Sequence, residues 1–128
     1  MTGQGGQGVR RRWRDYETKA GARPVKKFID SLSDYDAAAI VAAMQEVREE
    51  GLHSARHLSG DIWEVRAAGD RVIYRVLFAP EGKRERILLA LEASKKKTQK
   101  TPPEAIRLAQ RRLRDWRERG EQKRAAQR

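Results

Sequence analysis

The segments Ile62-Trp-Glu-Val-Arg66, Ala67-Ala-Gly-Asp70 and Arg71-Val-Ile-Tyr-Arg-Val-Leu-Phe78 decide the fold. Two runs rich in β-branched and aromatic residues flank a short turn containing glycine, the pattern of a β-hairpin. A second turn at Pro80-Glu-Gly82 leads into Arg86-Ile-Leu-Leu-Ala-Leu-Glu92, which completes a three-stranded meander. Side chains alternate along a strand, so Val72, Tyr74, Val76 and Phe78 share one face while Arg71, Ile73, Arg75 and Leu77 share the other. On the preceding strand, Trp63 and Val65 oppose Ile62, Glu64 and Arg66.

Working outward, Pro24 suits the first turn of a helix in which Val25, Phe28, Ile29 and Leu32 form one apolar stripe. Ser33, with Asp36 three residues on, caps a second helix that runs through Ile40, Met44 and Val47 to a stop at Gly51. Trp13 to Lys19 is predicted to form an edge strand. Pro102 and Pro103 bar continuation of the meander, and Glu104 to Arg119 reads as a helix carrying Ile106, Leu108, Ala109, Leu113 and Trp116. The expected order is β-α-α-β-β-β-α. This is an α+β fold: an antiparallel sheet, made of the edge strand and the meander, covered by an N-terminal helical hairpin and followed by a C-terminal helix. Residues 1–12 are expected to be a flexible glycine-rich leader, 13–119 the folded domain and 120–128 a disordered basic tail.

The 128 residues suffice for one core. There is no cysteine, and the two histidines show no metal-ligand spacing, so neither thiolate chemistry, a metal nor another cofactor is expected. No apolar run reaches membrane-spanning length and the leader lacks a signal-peptide core, so a cytoplasmic protein without membrane partners is expected. From Lys95 onward there are 13 Lys and Arg against 4 Asp and Glu, a balance of +9 out of a total of +11. A field concentrated in this way attracts polyanions, although a solvated, highly charged helix has the same composition.

The second sheet face brings Glu64, Arg66 and Arg75 together with Glu92 or its neighbours. Such a face is either a set of cross-strand charge pairs or an anion cradle whose guanidinium forks take phosphate oxygens. Lys96 and Lys97 leave the last strand beside it. His57, in the loop Arg56-His-Leu-Ser-Gly60, is placed to lie near the same face, where an imidazole can exchange protons.

The stretches Arg56-His-Leu-Ser-Gly-Asp-Ile-Trp-Glu-Val-Arg66, Tyr74-Arg-Val-Leu-Phe78, Lys96-Lys-Thr-Gln-Lys-Thr-Pro102 and Glu104-Ala-Ile-Arg-Leu-Ala109 resemble the phage-derived HigB-like branch of the RelE/ParE toxin superfamily. The resemblance spans roughly residues 13–116, and its most specific part is the lysine-rich run. It implies the toxin of a type II toxin–antitoxin system: a small α+β endoribonuclease that cleaves mRNA in the ribosomal A site. It also implies a cognate helix-turn-helix antitoxin as partner. Arg66 and Arg75 occupy the sheet positions expected to contact the RNA backbone, and Lys96 and Lys97 the basic pair after the last strand. Where relatives often carry a histidine followed by an aromatic residue, this chain has Glu92 and Ser94.

Cleavage without a metal needs cations around the phosphate and a proton acceptor for the ribose 2′-OH. Arg66, Arg75, Lys96 and Lys97 are the candidates for the first role, and Glu92 or His57 for the second. Arg56, Lys95, Lys100, Arg107 and Arg111 are candidates for further RNA contact. The alternatives are gyrase inhibition of the ParE kind, by protein contact alone, and a non-catalytic RNA-binding remnant of the same fold.

Overall fold

The computed structural model describes residues 10–127. Residues 1–9 of the expected 1–12 leader, and Arg128 of the expected tail, lie outside the described residues, and Arg12 of that leader begins the first strand. Five strands form one sheet in the order β1-β5-β4-β3-β2, with β1 at Arg12–Asp15, β2 at Arg56–Ser59, β3 at Ile62–Ala68, β4 at Ile73–Glu81 and β5 at Ile87–Lys95. Helices α1 (Pro24–Asp30) and α2 (Asp34–Glu50) precede β2, and α3 (Pro103–Ala126) follows β5. The α+β class, the helical hairpin and the C-terminal helix are as expected.

Four features correct the sequence reading. The sheet is mixed, because β1 lies parallel to β5, with Trp13 beside Leu88. Residues 56–59 form a strand and not a loop, since Gly60 (φ +54°) and Asp61 turn the chain back so that Arg56 pairs with Glu64 and His57 with Trp63. Strand β4 runs through Pro80, which the sequence assigned to a turn; β3 pairs with it only as far as Phe78, so one edge there is open and tolerates a residue without an N–H. Finally, α3 passes Gly120 and ends at Ala126, where a disordered tail was expected. One interior glycine costs only about 1 kcal/mol, and the flanking Glu, Gln, Lys, Arg and Ala residues are good helix formers.

Helical hairpin and α3 cover opposite faces. Under α1 and α2, Val25, Ile40, Met44 and Val47 meet Val65, Tyr74, Val76, Phe78, Leu88 and Ala90. Under α3, Ala109 and Leu113 meet Ile62, Leu77, Ala79, Leu89, Leu91 and Tyr16. Each large apolar side chain buried in this way contributes about 1.5–3 kcal/mol. Trp13 reaches from the edge strand into the first core, its ring edge against Phe78 and its indole N–H donating to the Met44 carbonyl at 2.7 Å.

A polar knot fixes α2 to the β3–β4 turn. The Ser33 hydroxyl caps α2 by accepting from Asp36 N–H at 3.2 Å. The buried Asp36 carboxylate in turn accepts from the Tyr74 hydroxyl at 2.5 Å and from Asp70 N–H at 2.7 Å. Gly69 is required beside it: a Cβ there would stand 2.6 Å from Asp36 Oδ1 and 2.7 Å from the Tyr74 ring. The Tyr74 hydrogen bond, then that from Asp70 N–H, hold the Asp36 carboxyl below its ordinary value of 3.8, and Tyr74 is correspondingly raised.

α3 is anchored at its far end as well. Arg117 donates to Asp61 at 3.0 Å and to Glu81 at 2.5 Å, and Glu81 above all holds its pKa above the usual arginine range. Arg119 pairs with Asp115 and donates to the Glu17 carbonyl, while Tyr16 donates to Asp115 at 2.6 Å.

Asp36 protonates later in the native protein than in the unfolded chain, so its contribution is complete above pH 3.8 and is lost as the pH falls below that value. Asp36→Asn is therefore expected to lower Tm at neutral pH, with the gap to wild type narrowing in melts taken progressively below pH 3.8. Truncation after Trp116 removes Arg117 and Arg119 and is expected to lower Tm clearly, whereas truncation after Glu121 leaves both anchors and is expected to change it little.

Candidate functional site

Strand alternation places Arg56, Glu64, Arg66 and Arg75 on the sheet face that α3 partly covers. Arg56 stands opposite Glu64, and Arg66 opposite Arg75. Glu64 is fully buried and organises the group. Its Oε1 accepts from Arg66 Nε at 2.9 Å, and its Oε2 accepts from the Thr101 hydroxyl at 2.5 Å. Arg75 Nε lies 3.1 Å from the same Oε2 but without hydrogen-bond alignment, so this contact is an ion pair only. A carboxylate out of water needs this much compensation, and removing one partner of a buried pair costs about 3–5 kcal/mol.

Arg75 is itself buried, with 2% of its side chain exposed, while Arg66 keeps 30%. Burial lowers the Arg75 pKa, Glu64 raises it, and the positive charges of Arg66 and Arg56 lower it further. Two guanidinium groups thus pair with one carboxylate, and the charge of the exposed Arg56 on the neighbouring strand adds to the positive excess. The backbone of the segment between β5 and α3 lies against them: Arg75 donates to the Thr98 carbonyl, and Arg66 Nη2 to the Gln99 carbonyl at 3.0 Å. Charge pairing with Glu64 is thus present in these residues, with positive charge left in excess.

The lysines divide. Lys96 extends the β4–β5 ladder, its N–H donating to the Ile73 carbonyl at 2.7 Å, and alternation returns its side chain to the arginine face. Lys97 and Lys100 are exposed on the following segment. Lys95 stands opposite Tyr74, on the helical-hairpin side, where its charge adds to the lowering of the Asp36 pKa. Arg107 and Arg111 are exposed one helical turn apart on α3, Arg107 within 3.8 Å of Glu104.

Neither expected proton acceptor joins the cluster. His57 pairs with Trp63 on the opposite sheet face, its ring edge against that indole and Nε2 2.7 Å from the Gly60 carbonyl. The sequence reading placed it near the arginines, but period-2 alternation on β2 puts Arg56 there instead. Glu92 does lie on the arginine side. A bulge leaves Leu91 as an extra residue, since Leu77 pairs with Glu92 and Phe78 with Ala90. Its carboxylate is held by Arg112 of α3 at 3.2 Å, and Arg112 also donates to the Leu91 carbonyl at 2.7 Å. Glu92 thus serves to dock α3.

Two residues of the cluster were missed as site residues. Glu64 was read as one of several charges on a mixed face, and nothing local in the sequence marks it as the buried centre. Thr101 lies within the lysine-rich run that carries the resemblance, but that run points to its lysines; the place of Thr101 directly before Pro102-Pro103, which fix the start of α3, is a further signal. Among the described residues, no group of three or more His, Cys, Asp or Glu stands together as a metal site would need.

Residues 27–114 match the family described as phage-derived protein Gp49-like (DUF891). The proteins named probable endoribonuclease HigB1 from two Mycobacterium tuberculosis strains, CDC 1551 / Oshkosh and ATCC 25618 / H37Rv, are each 35% identical over 107 residues. That alignment covers 81% of this chain and 83% of each relative. With the arginine-bearing sheet, the two-sided helical cover and these matches in agreement, the chain belongs to the phage-derived Gp49-like family, a HigB/RelE-type toxin family.

Proposed function

We propose that the chain is the toxin of a type II toxin–antitoxin pair, an endoribonuclease that cleaves mRNA in the ribosomal A site without a metal ion and is held in check by a helix-turn-helix antitoxin. The observation that carries this reading is the cationic group on one sheet face: Arg66 and Arg75 on the carboxylate of Glu64, with Arg56 on the neighbouring strand and Lys96 extending β5 toward the same side. The name of the relatives supports the same chemistry.

In this mechanism the ribose 2′-oxygen attacks the adjacent phosphorus while the bond to the departing 5′-oxygen breaks. Arg66 and Arg75 hold the non-bridging oxygens and stabilise the charge that develops on them. Glu64 orients both guanidinium groups and does not touch the RNA. With Glu92 engaged by Arg112 and His57 on the other face, proton transfer falls to Lys96 and Lys97: one amine takes the 2′-OH proton as the new P–O bond forms, and the other, as an ammonium, gives a proton to the departing 5′-oxygen. Arg107 and Arg111 on α3, with Lys100, extend the contact along the phosphate backbone.

A second reading, an RNA-binding protein that does not cleave, is favoured by that same lack, among the described residues, of a free carboxylate or imidazole beside the arginines. Primer extension on cellular mRNA after brief induction separates the two. New 5′ ends at codon-related positions are expected; ribosome or RNA binding without such ends would sink the nuclease reading in favour of the non-cleaving one, and supercoiling defects or SOS induction without them would point to gyrase inhibition.

The double variant Lys96→Ala/Lys97→Ala, folded by circular dichroism, is expected to lose the new 5′ ends and growth arrest while ribosome binding falls only moderately. Undiminished arrest would remove the lysines from the mechanism. Glu64→Ala is expected to lose about 3–5 kcal/mol in urea denaturation, because it strands Arg75 without its buried counterion. A loss below about 1 kcal/mol would show that Glu64 is not the organising charge.

A further inference from the structure

Arg75 is buried in the free protein, and a buried guanidinium left without partners is costly. In the free protein its partners are Glu64 and the Thr98 carbonyl, while Arg66 takes Glu64 and the Gln99 carbonyl. Both carbonyls come from the segment joining β5 to α3. That segment is anchored at one end by Lys96 N–H on the Ile73 carbonyl and at the other by the Thr101 hydroxyl on Glu64. Between the anchors Lys97, Thr98, Gln99 and Lys100 are exposed, and the Thr98 hydroxyl turns back on the Lys100 carbonyl at 2.6 Å, shaping a local turn.

The two carbonyls occupy guanidinium donors that a phosphate would use. They are neutral acceptors, and a phosphate offers charged oxygens in the geometry a guanidinium fork prefers, so it displaces them. We propose that the Lys96–Thr101 segment is an exchangeable cover: RNA phosphate replaces the Thr98 and Gln99 carbonyls on Arg75 and Arg66, and the released segment lays Lys97 and Lys100 on the bound strand. This rests on the RNA reading above. Thr101 is the positioning residue that keeps the cover closed, through the same carboxylate that holds the arginines. Apparent affinity is then the intrinsic affinity reduced by the fraction of molecules that are open.

Limited trypsin digestion with mass spectrometry reads the cover directly, because Lys96, Lys97 and Lys100 are cleavage sites within it and Lys123 and Arg124 at the end of α3 give an internal reference. Relative to those reference cuts, Thr101→Val is expected to speed cutting within the segment about tenfold, while Thr101→Ser, which keeps the hydroxyl, matches wild type. Inorganic phosphate is expected to speed the same cuts in wild type, a measurement independent of whether the valine variant folds. Fluorescence anisotropy with an RNA oligonucleotide made uncleavable by 2′-deoxy substitution is expected to show about tenfold tighter binding by Thr101→Val. Segment cutting unchanged by phosphate and by the valine substitution overturns the cover, as does unchanged or weaker RNA binding by a folded Thr101→Val protein. If neither wild type nor variant binds the oligonucleotide, the RNA reading itself fails and the proposal fails with it.

Discussion

One buried carboxylate sets the terms for half of the molecule. Glu64 sits on a central strand where water does not reach, so its charge must be matched by protein groups, and those groups come from three places: β3 itself through Arg66, β4 through Arg75, and the approach to α3 through Thr101. Apolar packing alone would register the strands but would leave the connection from β5 to α3 unspecified. The carboxylate specifies it. Because Arg66 and Arg75 then donate to carbonyls of that connection, one charge positions the arginines and also determines what lies over them.

The two sides of the sheet differ in charge as well as in cover. Helix α2 carries Asp34, Asp36, Glu46, Glu49 and Glu50 against Arg48, and it packs on the face away from the arginines. Helix α3 is basic and packs on the arginine face. A polyanion approaching such a molecule meets attraction on one side and repulsion on the other, so the asymmetry orients the encounter before any contact forms. The exposed Tyr35 and Val41 of α2 lie on the acidic side, remote from the cationic one.

What was legible in the sequence was what local pattern encodes. The meander announced itself through β-branched alternation around Gly69, and the start of α2 through Ser33 and Asp36. Strand β2 was illegible because Arg56-His-Leu-Ser59 is polar, although Gly60-Asp61 is a two-residue turn of a kind that joins hairpins. Missing it moved His57 to the wrong side, since a one-residue difference on a strand exchanges the faces. The bulge at Leu91 and the parallel pairing of β1 leave no local trace at all. Arginines on a sheet face were readable as a cationic site, but their burial was not, because it depends on α3 and the β5–α3 connection folding over them. The helical course of residues 120–126 was hidden for a simpler reason: the segment is polar and offers no apolar stripe to read, while its Glu, Gln, Lys, Arg and Ala are strong helix formers and one interior glycine is merely a weak point.

The parallel pairing of β1 with β5 bears on when this protein becomes complete. Arg12 finds its strand partner at Ile87, and the sheet face above Leu89 and Leu91 stays open until Ala109 and Leu113 arrive. A chain emerging from its N-terminal side therefore holds β1 unpaired until β5 has been made, and loop closure over that span is slow. The cationic surface is assembled late too, because Thr101 and the lysines follow every strand. In a protein whose proposed target is the translating ribosome, the geometry that would engage that target comes into being only after all five strands and the connection to α3 have left the ribosome making them.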